Sequence, residues 1–113
     1  MKSKILALSK NEEFKNLIKQ KKITNKYTTI FFGKLANKNR NRLNISFVTK
    51  RKIGNAVKRN KIKRRLRNIM NDAVKNITLK FDYSYLVIAK PTMLNNNYTT
   101  IKETLFKDFE RIK

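Results

Sequence analysis

Apolar residues recur along this chain with two different periods. Between residues 10 and 20, Phe14, Leu17 and Ile18 fall at i, i+3 and i+4, the spacing of one helix face. Ser9-Lys10-Asn11-Glu12 has the form of a capping box, so a short amphipathic helix is expected there. From periodicity alone Phe14 is a core anchor on it. Residues 27–35 alternate instead: Thr28, Ile30 and Phe32 share one face, Thr29 and Phe31 the other. Their β-branched and aromatic content reads as a strand. A further short strand is expected near Ile23. Residues 36–42 are a polar turn. Residues 43–49 alternate Leu43, Ile45 and Phe47 against Asn44, Ser46 and Val48, a second strand. The short connection predicts that it pairs antiparallel with the first.

After Gly54-Asn55 the period returns to that of a helix. Ile62, Leu66, Ile69, Met70, Ala73, Val74 and Ile77 form a sustained stripe, so a long helix is predicted over 55–76, facing a sheet. Residues 83–89 are the most hydrophobic run and predict a buried strand that Pro91 ends. Asn95-Asn96-Asn97 can cap a last helix with Tyr98, Ile101, Leu105, Phe109 and Ile112 as its apolar face. Helices and strands in this mixed order predict an α+β sandwich, and 113 residues predict one domain over 1–113.

Composition then removes most chemistry. There is no His and no Cys, which excludes disulfides, thiolate metal sites and His-based nucleophile arrangements. The two glycines, Gly33 and Gly54, are too far apart for a phosphate-cradling loop. The carboxylates have ordinary explanations. Glu12 and Glu13 sit in a helix first turn. Asp108 and Glu110 lie beside Lys107 and Arg111 and read as a solvated face. No catalytic residues and no metal ligands are expected in the protein. Absence of a long apolar segment disfavours a signal peptide or membrane span and makes the cytoplasm the expected setting.

Charge changes the picture most. Lys+Arg number 29 and Asp+Glu 7, a net charge of +22. From Phe14 to Asn71 the chain holds 19 basic residues and no acid, whereas the rest holds 10 basic and 7 acidic. An AT-rich genome raises Lys, but it does not purge acids from half a chain or cluster Arg59, Arg64, Arg65 and Arg67. A polyanion partner is expected. The long helix concentrates the signal, with Lys58, Arg59, Lys61, Lys63, Arg64, Arg65 and Arg67 beside its apolar stripe. Arginine pairs bidentately with phosphate, which favours RNA. An anionic membrane surface is the distant alternative, because the apolar stripe is committed to the sheet.

The segment from Ile53 to Arg67, Ile-Gly-Asn-Ala-Val-Lys-Arg-Asn-Lys-Ile-Lys-Arg-Arg-Leu-Arg, resembles the signature of the bacterial ribonuclease P protein component. Ala56 through Arg67 satisfies every position of that pattern. The resemblance continues through Lys10-Asn11-Glu12-Glu13-Phe14, Ser46-Phe47-Val48-Thr49-Lys50-Arg51-Lys52 and Val87-Ile88-Ala89-Lys90-Pro91. It implies an α/β sandwich with about four strands, like a ribosomal-protein domain, and a left-handed β-α-β crossover where the general rule favours a right-handed one.

The same resemblance implies a role. The catalyst would be an RNA that hydrolyses precursor tRNA at the 5′ end with Mg²⁺, which the RNA subunit holds. The protein would bind that ribonuclease P RNA through Arg59, Asn60, Lys61, Lys63, Arg64 and Arg67. It would hold the single-stranded 5′ leader of precursor tRNA in a cleft between the first helix and the sheet. The matching positions are Phe14, Ile30 and Phe32, with Lys50, Arg51, Lys52 and Lys90 as basic companions. Aromatic rings beside cations suit single strands, since stacking contributes ~1–3 kcal/mol per base. Two positions depart from the pattern: Ile18 stands where a second aromatic is common, and Phe32 where Tyr is common. A holoenzyme of one protein and one RNA, or a dimer of that unit, both fit. The rival reading is a ribosomal or generic RNA-binding protein with no enzymatic role.

Overall fold

The computed structural model describes residues 5–6, 11–34, 43–79 and 82–112. Ser9 and the turn at 36–42 lie outside them. The elements run β1 (Ile5–Leu6), α1 (Asn11–Ile18), β2 (Lys21–Thr24), β3 (Thr28–Gly33), β4 (Leu43–Val48), α2 (Ala56–Asn76), β5 (Ser84–Ala89) and α3 (Tyr98–Arg111). Short 3₁₀ turns at Arg51–Ile53 and Pro91–Leu94 precede α2 and α3. The sheet is mixed, in the order β1-β4-β5-β3-β2. Four strands of four to six residues match the expected sheet, and the two-residue β1 adds an edge beside β4.

The expected hairpin between β3 and β4 does not form. β5 lies between them, antiparallel to β3 (Ile30 opposite Val87) and parallel to β4 (Phe47 opposite Val87). The reason lies in β5's composition. Tyr85, Leu86 and Val87 are each about 1% exposed, so both faces of this strand are covered. A strand apolar on both faces belongs at the sheet's centre. β4, α2 and β5 thus form a parallel crossover unit.

The two faces carry two cores. Ile30, Phe32, Ile45, Tyr85 and Val87 pack against Ile62, Leu66, Ile69, Met70 and Ala73 of α2 and Ile101, Leu105 and Phe109 of α3. The opposite face packs Phe31, Leu86, Ile88 and Val48 against Leu17 of α1. Caps set the helix starts. The Asn55 Oδ1 accepts from the Lys58 N–H at 3.0 Å, and the Asn97 Oδ1 accepts from the Thr99 N–H at 2.8 Å.

Gly54 joins the 3₁₀ turn to α2 with φ 151° and ψ −162°. That region is open essentially to glycine alone and costs another residue about 1–3 kcal/mol. An added Cβ would meet only the flexible Lys58 side chain, at 2.8 Å, so backbone strain dominates. Gly54→Ala should therefore lower the urea midpoint by the equivalent of about 1–3 kcal/mol with an unchanged m-value.

Candidate nucleic-acid interface

α2 is built with its charges against its own dipole. Its first turn holds no acid, only Lys58 and Arg59, where the helix's positive end favours Asp or Glu. Asn60, Lys61, Lys63, Arg64 and Arg67 are all exposed, and Arg59 is half-buried with its Nε 3.5 Å from the Asn55 carbonyl. Asn60, Lys63, Arg64 and Arg67 line a shallow groove on the side away from the core. Val57, 75% exposed, sits among them as the apolar member. Lys61 lies on the neighbouring flank, outside that groove.

Arg65 has a different task. Its Nη1 donates to the carbonyls of Met93, at 3.1 Å, and Asn96, at 3.3 Å. This ties α2 to the turn before α3. Asp72, the first acid after the basic run, pairs with Lys102 of α3 at 2.9 Å. That hydrogen bond raises the Lys102 pKa, while burial and then the Asp72 charge raise Tyr98. Both shifts lie on the alkaline side, so neither group changes charge near neutral pH.

Lys50, Arg51 and Lys52 are exposed in the turn between β4 and α2. Because Val48 pairs with Ile88 in parallel register, Lys50 and Lys90 leave the same end of the sheet. The Lys90 ammonium donates to the Asn25 carbonyl at 2.6 Å, which fixes it at this end. Asn25 is itself held: its Oδ1 accepts from the Tyr27 and Thr28 N–H groups, and its Nδ2 donates to Asp108 Oδ2 at 2.7 Å. Asp108 is thus buried, 7% exposed, and not part of a solvated face as expected. Its carboxylate pins the turn before β3 to α3.

The residues proposed for a cleft beside α1 divide. Phe14 lies on α1 by its backbone, and its side chain is outside the described part of the structure. Ile30 and Phe32 lie on the other face, 0% and 6% exposed beneath α2 and α3. Side chains of a strand alternate with a period of two, so an assignment one residue out moves the whole set to the wrong face. The α1 face presents Phe31, Ile88 and Val48, half-buried around Leu17 and Leu86. Thr29, opposite Ile88, belongs to the same row, and Ile18 is 51% exposed on α1. The signal for Phe31 was already in the alternation of residues 27–35; what was missing was which face α1 covers.

Fold and surface together define a small α+β protein that turns a cationic helix outward. The ribonuclease P family model matches residues 3–113. The ribonuclease P protein component of Mycoplasma mycoides is 32% identical over 107 residues, 94% of each chain. That of Mesoplasma florum is 33% identical over 88% of each. The solved ribonuclease P protein of Thermotoga maritima superposes with a TM-score of 0.79 at 26% identity, over 96% of this chain and 98% of that one. The Staphylococcus aureus protein shares the fold, with a TM-score of 0.76 at 22% identity over 94% and 93%. The chain belongs to the ribonuclease P protein family, whose members are protein components of a tRNA-processing ribonucleoprotein nuclease.

Proposed function

We propose that this protein binds a ribonuclease P RNA through α2 and holds the 5′ leader of precursor tRNA on the α1 face of its sheet. In this way it assists RNA-catalysed hydrolysis at the tRNA 5′ end. The observation that carries the reading is the row of Asn60, Lys63, Arg64 and Arg67 beside a first turn without acids. Cations at the positive end of a helix destabilise it unless a polyanion neutralises them. Asn25, Lys50, Lys90 and the turn after β4 gather at one end of the leader face, so phosphates there would meet Lys50, Arg51, Lys52 and Lys90. Phe31, not Phe32, is the ring that a leader base would meet.

The described aspartates are engaged elsewhere. Asp72, Asp82 and Asp108 engage Lys102, Lys34 and Asn25 on separate elements, and among the described residues no three ligating side chains converge. In this reading Mg²⁺ acts through the RNA subunit. No described helix is long and apolar enough to cross a membrane. The reading places the protein in the cytoplasm with its RNA substrates.

Precursor-tRNA cleavage by a bacterial ribonuclease P RNA at low Mg²⁺ tests it. Adding the protein should restore accurate 5′ cleavage. Phe31→Ala should weaken binding of a precursor with a full leader by about 5- to 150-fold, from the loss of one stacking contact. A substrate with its leader trimmed away should not feel the change. Tight RNA binding without rescue would leave a generic RNA-binding protein.

A further inference from the structure

A second cavity lies at the opposite end of the sheet from Lys90. It is about 250 Å³ and is lined by Gln20, Lys21, Phe32, Gly33, Lys34 and Tyr83. β3 starts beside Lys90 and ends at this cavity, so roughly 20 Å of strand separates the two ends. Neither α2 nor the leader face includes it.

Its chemistry is that of a base-binding pocket. The Tyr83 and Phe32 rings stand 6.0 Å apart, tilted by 35°, and form an aromatic wall. Lys34 holds its ammonium 6.0 Å from the Tyr83 ring centre and 3.5 Å from Asp82. Its side chain is 69% exposed, so both contacts are weak and readily exchanged. Lys21 adds a second cation at the rim. Gly33 matters as a space: a Cβ there would collide with Gln20 Oε1, so glycine lets that amide lie on the strand backbone. The amide offers a donor and an acceptor at the edge of the cavity.

We propose that this cavity is a subsite for one unpaired nucleotide of an RNA strand. The base stacks on Tyr83 in place of the Lys34 ammonium, and Lys34 and Lys21 turn to the phosphate. Gln20 meets the base edge. Asp82 keeps bare phosphate from being a sufficient ligand, because its carboxylate repels an anion that brings no stacking. The inference rests on the RNA-binding reading of α2 for its partner but on separate residues for its site.

The test is an NMR titration of the full chain with adenosine 5′-monophosphate and, separately, inorganic phosphate. The nucleotide should shift the amide signals of Gly33, Lys34 and Tyr83 saturably, and phosphate should leave them in place. Tyr83→Leu, which keeps apolar bulk, should weaken the nucleotide by about fivefold or more. Should Tyr83→Leu not fold, the surface pair Lys21→Gln and Lys34→Gln decides, with a loss of at least about twofold expected. Unchanged affinity in either folded variant, equal shifts with phosphate, or nucleotide shifts confined to α2 and residues 50–52 would overturn the subsite. A parallel gel shift with ribonuclease P RNA separates the two claims. RNA bound by the wild type with a silent Gly33 sinks only the pocket, whereas no RNA binding at all sinks the reading of α2.

Discussion

Replacing Arg59, Arg64 and Arg67 together by alanine will weaken binding of ribonuclease P RNA by at least about 100-fold and make the fold slightly more stable. The two signs come from one geometry. Arg64 and Arg67 are exposed and Arg59 is half-buried, with no carboxylate partner for any of them among the described residues. A charge-assisted hydrogen bond to phosphate contributes about 1.5–3 kcal/mol, and three such losses exceed a factor of 100 even when far from additive. The salt dependence should flatten too, by about 2 in the slope of log K against log salt, at 0.7–0.9 per phosphate released. Urea melts in low salt should move to a higher midpoint, because three like charges leave a chain of net charge +22 and one of them, Arg59, leaves the first turn of α2. Arg65→Ala is the contrast. It strands the Met93 and Asn96 carbonyls and should cost stability first. If Arg65→Ala at an unchanged midpoint weakens RNA as much as the triple variant, total charge governs binding and the signature geometry does not.

Leu66→Ala should unfold the isolated protein at low ionic strength and be rescued by sulfate. Leu66 is 0% exposed, in the middle of the α2 stripe that packs on the sheet. Such truncations cost about 2–5 kcal/mol. A domain of this kind holds about 5–15 kcal/mol in all, and here self-repulsion at +22 reduces that reserve. An anion that binds only the folded state at 100 times its dissociation constant restores about 2.7 kcal/mol. Far-UV circular dichroism across a sulfate titration reads the outcome: helix signal absent without sulfate and recovered with it. A variant equally folded without sulfate would show that the repulsion is already neutralised within the fold.

The helices were legible because each carries its own instructions. The stripe from Ile62 to Ala73, the Asn55 and Asn97 caps and the stop at Pro91 are local signals, and the structure places elements where they point. Strand pairing is not local. Nothing within residues 27–49 says that a strand some forty residues on will part the two strands that look like a hairpin. The face of β3 was ambiguous for a related reason. Ile30 and Phe32 on one side and Phe31 on the other are all apolar, since helices cover both faces. Alternation alone cannot tell which side α1 takes. Asp108 was hidden by its company: amid Lys107, Glu110 and Arg111 it resembles any surface charge, and only Asn25, 83 residues earlier, reveals its burial. The basic helix survived all of this because its message is compositional, a long stretch without acids.

The central position of β5 sets the order in which this molecule can be made. On the ribosome β3, β4 and α2 emerge before the strand that joins them, and until it arrives β3 and β4 have open edges facing a gap of one strand. The apolar stripe of α2 has little to pack on in that interval. The core therefore closes late, from contacts distant in sequence, which is the slow and aggregation-exposed route. Repulsion among the basic residues already synthesised works against contact between such half-made chains until β5 arrives.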